Sequence, residues 1–181
     1  MRYFRVLSDL NVTRRWFLGC VKSNNEDISD DIREGKEFPK QNLQVDIQNE
    51  GNSLDFTFAA FDVPIISNRI VDIFNFDDIE LTPVKVQNQS NIDYFILRTK
   101  KYLDAIDKEN SEYTLWDESN SFRKDLIGEF RSFSRIKISS DVSENDKIFR
   151  IKNYSVVLVV NEKIFKKCVD RKVSGIFFEE V

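Results

Sequence analysis

The side chains that could do chemistry in this chain are mostly carboxylates: 31 Asp and Glu stand against 27 Lys and Arg, and histidine is absent. Without histidine the commonest general base near neutral pH is missing, as are Ser-His and Cys-His nucleophile pairs and imidazole metal sites. The 5 glycines form neither a P-loop nor a dinucleotide fingerprint, so no backbone cradle for phosphate is expected. The segment from Asp141 to Asp146 opens like a calcium loop, but its sixth position is Asp146 where the turn needs Gly. Its twelfth is Lys152 where a bidentate Glu belongs. What remains for catalysis is a carboxylate pair meeting in a cleft at glycosidase-like separation, and no spacing here selects such a pair from solvated acids. The chain is expected to carry no catalytic residue, no metal and no cofactor, with a carboxylate-based enzyme as the alternative.

Charge serves recognition more readily. Residues 24–37 hold Glu26, Asp27, Asp30, Asp31, Glu34 and Glu37 against Arg33 and Lys36. Residues 104–118 hold six acids against Lys108 and end in Trp116, Asp117 and Glu118. An aromatic flanked by acids suits a hot spot for a basic partner, although burial of the indole in the core is the competing reading. Residues 147–172 hold eight bases against Glu162 and Asp170, among them Lys163, Lys166, Lys167, Arg171 and Lys172 on one helix. A net charge of −4 and the lack of aromatics among those bases argue against stacked nucleic acid, which is not an expected partner; a basic-helix nucleic-acid binder stands as a second alternative.

These residues need a frame. With 181 residues, 41% of them hydrophobic and 16 of them Phe, the chain can build an aromatic-rich core. A chain of this length buries about 70% of its unfolded surface. The pattern predicts an α+β fold in a single domain, 1–181: a mixed, mostly antiparallel sheet with two or three short helices. Residues 1–60 read as hairpins and 61–181 as a strand-helix-strand core.

The clearest signals lie near the end. Ser155 to Val160 (SVVLVV) is a buried strand, and Asn161 beside Glu162 starts a helix with Ile164, Phe165, Cys168 and Val169 on its docking face. Gly175 ends the connection, and Ile176 to Val181 returns in the same sheet. Earlier, Tyr3 to Leu7 and Arg15 to Val21 read as one hairpin, and Leu43 to Ile47 and Leu54 to Phe58 as a second. The acidic stretch that closes at Phe38-Pro39 is a loop with at most one short turn. Ser67 caps a short helix carrying Ile70, Val71 and Phe74, and Pro83 marks the strand 79–86 as an edge or bulge. Phe122, Leu126, Ile127, Phe130 and Phe133 recur with helical spacing. Cys20 and Cys168 should be reduced and buried. No signal-like segment and no run of roughly 20 apolar residues is present, so the cytoplasm is the expected location.

Three stretches together resemble the immunity protein 11 family of bacterial polymorphic-toxin systems, also described as a Myxococcus-type immunity domain. They are Tyr3 to Gly19 (YFRVLSD…RRWFLG), Val63 to Asp107 (VPIISNRIVDIF…IELTPVKV…DYFILRTKKYLDAID) and Ile148 to Val181 (IFRIKNYSVVLVVNEKIFKKCVDRKVSGIFFEEV). They cover roughly half of the chain and leave out the acidic loop after Cys20 and residues 109–147. The match is one of core patterning, with no catalytic signature to carry over. It implies a cytoplasmic protein, not an enzyme, whose partner is a cognate protein toxin. A toxin acting on nucleic acid has a basic cleft, and acids that occupy it would bind there. The residues expected to face it are Glu26, Asp27, Asp30, Asp31, Trp116, Asp117 and Glu118.

Overall fold

A computed structural model describes residues 1–89, 91–119 and 123–181. In chain order the strands are β1 (Tyr3–Ser8), β2 (Phe17–Ser23), β3 (Glu26–Asp27), β4 (Leu43–Asn49), β5 (Phe56–Ala59), β6 (Val63–Ser67), β7 (Ile79–Val86), β8 (Tyr94–Thr99), β9 (Tyr102–Leu103), β10 (Glu112–Leu115), β11 (Phe130–Arg135), β12 (Ile148–Ile151), β13 (Tyr154–Asn161) and β14 (Ile176–Glu180). The helices are α1 (Ser29–Arg33) and α2 (Glu162–Asp170), with 3-10 turns at Ala60–Asp62, Asn68–Ile73 and Lys124–Leu126.

β13 shows how the sequence dictates the frame. Leu158 and Val160 belong to one apolar cluster and Val157 and Val159 to another, because side chains alternate across a strand and both faces are covered. The strand is therefore apolar on both faces from Val157 to Val160, with β-branched valine at three of the four positions. At its end the Asn161 side chain accepts the N–H groups of Lys163 (3.1 Å) and Ile164 (3.2 Å), satisfying two donors that the first turn of α2 leaves open. β13, α2 and β14 lie as expected, with β14 in the same sheet and β1 inserted between the two.

Two sheets and a hairpin result: a five-stranded sheet ordered β14-β1-β13-β12-β9, a seven-stranded one ordered β3-β2-β4-β7-β8-β6-β5, and the pair β10-β11. All pairings between these strands are antiparallel except β4 with β7 and β9 with β12. This is the mixed, mostly antiparallel α+β fold that the pattern predicts. The seven-stranded sheet curls around Trp16, Val21, Val45, Val63, Ile65 and Ile96, all of them fully buried. α2, the Asn68–Ile73 turn and the outer side of that sheet close a second core with Phe4, Leu158 and Val160. The far side of the five-stranded sheet meets β10-β11 through Phe130 and Phe133.

Both N-terminal hairpins are corrected by the pairing. β1 joins β13 and β14, whereas β2 joins β3 and β4; β5 then pairs with β6, not with β4. All four segments are strands, but β1 takes its partners from the far end of the chain, whereas β2 and β5 each pair with the strand that follows them. The expected Phe-striped helix is also corrected: Phe122 lies outside the described residues, and Phe130 and Phe133 sit in β11. There Phe130 opposes Leu115 and Phe133 opposes Tyr113, so three steps on one strand match two on the other. The resulting β-bulge brings Phe130 and Phe133 to one face and mimics helical spacing. Two smaller expectations also change: Val169 is 53% exposed, and Cys20 is only half-buried.

Candidate functional site

The acidic segment is anchored from below. Ile28 and Ile32 insert into the core around Trp16, and the buried Ser29 hydroxyl accepts the Val21 N–H at 2.8 Å. Beyond the helix, the Tyr102 hydroxyl donates to the Arg33 carbonyl and Arg98 donates to the Lys36 carbonyl, each at 2.7 Å. Gly35 has φ +76° and sits so close to Tyr102 that a Cβ there would lie 2.7 Å from its ring. Arg98 is itself fixed by Glu80, 2.8 Å from its Nε, and lies over the Phe38 ring at 5.2 Å. A five-residue helix is too short to hold itself in water, so these contacts supply its order.

What the anchored segment displays is acid. Glu26 and Asp27 are exposed on β3, Asp30 lies 2.7 Å from Arg33, and Asp31 lies 3.7 Å from Lys36. Asp27 has a structural task as well, accepting the Ser29 N–H at 2.9 Å. Partial burial works against its ionisation, but hydrogen bonds from the Cys20 thiol and Ser29 outweigh that and hold its carboxyl below the ordinary range.

Trp116 belongs to none of the three cores. It is half-buried at the end of β10, and the Arg131 guanidinium stands 5.1 Å above its ring. Its backbone N–H donates to the Glu129 carbonyl at 2.9 Å, and its own carbonyl accepts the Gly128 N–H at 2.8 Å. Asp117 and Glu118 are exposed beyond it, and Asp117 accepts the Ser119 N–H at 2.9 Å.

The end of α1 and Trp116 face each other across one groove of about 610 Å³. Arg33, Glu34 and Tyr102 form one wall, Trp116, Arg123 and Arg131 the other, and the turn around Lys152 and Asn153 closes it. Of the seven residues expected to face a toxin only Trp116 lines it; Glu26, Asp27, Asp30, Asp31, Asp117 and Glu118 do not. The bases in this lining escaped sequence reasoning, because only the pairing of β10 with β11 brings Arg131 to Trp116.

A second groove, about 510 Å³, runs past Leu10, Phe58 and Phe177 and contains one carboxylate, Asp62. Burial raises Asp62 above the usual range although Arg150, Arg33 and Arg5 pull it down. No second acid joins it in that lining, so a glycosidase-like carboxylate pair is not formed there. Arg150 behind it is fully buried and donates to the carbonyls of Asp62 (2.7 Å) and Ser155. Burial draws its pKa down to about 10, partly offset by Tyr102 and Asp62.

On α2 the bases are partly engaged within the chain: Lys166 reaches Glu162 at 3.0 Å and Arg171 forks onto Asp72. Among the described residues no group of three or more Cys, Asp or Glu is arranged to hold a metal ion. No described helix is long and apolar enough to cross a membrane. Residues 25–181 match the family model described as the Immunity protein family (Imm11), a span that includes the acidic segment and residues 109–147. No curated protein matches the chain.

Proposed function

We propose that this chain, which belongs to the Imm11 immunity protein family, neutralises a cognate protein toxin in the cytoplasm by covering it, without catalysis of its own. The observation that carries the placement of the interface is the anchoring of α1. Asp30 and Asp31 stand on a backbone fixed through Tyr102, Arg98 and Gly35, so little ordering entropy is lost on binding. Glu26 and Asp27 extend the acidic surface, Trp116 stands across the groove as the aromatic part of the contact, and the exposed Asp117 and Glu118 follow it in the chain. A basic cleft on the toxin would be steered to this face and filled by it.

The toxin to test is the product of the reading frame beside this one. Coexpression should restore growth to cells poisoned by that product, and the two proteins should copurify in fixed stoichiometry. A quadruple Glu26→Lys, Asp27→Lys, Asp30→Lys, Asp31→Lys variant that folds yet protects as well as the parent would remove α1 from the interface. Failure of the parent protein to bind or protect would remove the toxin reading itself.

A further inference from the structure

The groove between α1 and the β10-β11 hairpin carries the opposite charge to the surface beside it. Four bases, Arg33, Arg123, Arg131 and Lys152, line it against two acids, Glu34 and Glu129. Glu34 is already paired with Lys36 at 2.7 Å and with Arg33 at 3.3 Å, and Arg123 pairs with Asp125 at 3.0 Å. Arg131 and Lys152 have no carboxylate within ion-pair distance among the described residues, and the Arg131 guanidinium lies over the Trp116 ring. Both are exposed, and the aromatic surfaces of Trp116, Phe130 and Tyr154 adjoin them in the same lining. Two unpaired cations on an aromatic wall suit a carboxylate whose side chain also offers apolar contact.

We infer that the groove seats an acidic segment of the partner protein, with a carboxylate between Arg131 and Lys152 against the Trp116 ring. The identity of that partner rests on the toxin-binding reading, and the groove adds its chemistry: an acid must stand beside the toxin's basic cleft. An interface of two signs fixes orientation, since a partner rotated in place would set like charges together.

The chain has 2 tryptophans, and Trp16 is fully buried while Trp116 stands in the groove, so intrinsic fluorescence reports on this site. The whole protein is titrated at low salt with hexaglutamate, hexalysine and a thymidine hexanucleotide. The expected result is a saturable emission change with hexaglutamate alone, absent in Trp116→Phe. It should weaken about tenfold in an Arg131→Gln, Lys152→Gln variant, the sum of two modest exposed-charge contributions. No saturable change, an unaltered titration in that variant, or equal binding of hexalysine would overturn the inference. Tighter binding of the hexanucleotide would overturn it in favour of a nucleic-acid site. Toxin binding that ignores the double substitution would sink the groove and spare the toxin reading. Hexaglutamate binding without any toxin complex would do the reverse.

Discussion

Asp55 is the residue on which the two sheets depend most visibly. It is buried, and its carboxylate accepts from the Ser67 hydroxyl at 3.1 Å, the Ser174 hydroxyl at 2.9 Å and the Ser174 N–H at 3.2 Å. Arg69 stands 3.3 Å away as its counterion. Asp55→Ala would strand all of these groups and should lower unfolding free energy by about 3 kcal/mol in urea titration. Asp55→Asn, which keeps an acceptor, should lose less. At the surface, Glu162 illustrates how charge sets pH dependence. Hydrogen bonds from Arg2 and then Lys166 hold its carboxyl down to about 2, against an ordinary value of 4.5. A depressed carboxylate stabilises the fold above pH 4.5, and that contribution is lost as the pH falls toward 2. Thermal melts of Glu162→Gln at low salt should therefore sit below the parent at pH 7 and converge with it near pH 2. Added salt should shrink the gap at pH 7.

At the scale of elements the junction before β14 is the sensitive point. Gly175 has φ +87°, and a Cβ there would fall 2.1 Å from the Phe56 carbonyl oxygen. Its own carbonyl accepts the Asp9 N–H at 3.0 Å, and Ser174 takes the Phe56 N–H at 3.0 Å, so the junction joins β1 and β5 across the sheets. Gly175→Ala should cost about 3 kcal/mol or more, combining left-handed backbone strain with overpacking, measured as a fall in the denaturation midpoint. That β14 would return after α2 was readable, because Asn161, Glu162 and the apolar positions of α2 are local signals that agree with one another. The N-terminal pairings were not readable, since β1 is covered on both faces, with Tyr3 in one core and Phe4 and Val6 in another, and nothing local says which strand lies beside it. The bulge at Arg131 concealed β11 in the same way, by giving Phe130 and Phe133 a spacing that belongs to helices.

For the whole molecule, the acidic and basic tracts of the sequence do not separate into two poles. The acids of α1 stand next to a groove lined by Arg33, Arg123, Arg131 and Lys152, while several bases of α2 are engaged by Glu162 and Asp72. The acidic half of the candidate site was legible as composition; its rigidity was not, because Tyr102 and Arg98 reach it from more than 60 residues away in sequence. Tyr102→Phe, which removes only the hydroxyl that holds the Arg33 carbonyl, should speed amide exchange across residues 33–37 with little change in global stability.

In the proposed function, anchored acids on α1 bind a basic surface of a toxin. The most direct test is the affinity of the toxin encoded beside this chain for the parent protein and for an Asp30→Lys, Asp31→Lys variant, across a range of salt. The expected result is a complex whose association rate falls as salt rises, and a variant bound at least tenfold more weakly, as follows when two charges at an interface are reversed. A toxin that binds parent and variant alike, with a rate indifferent to salt, would contradict it.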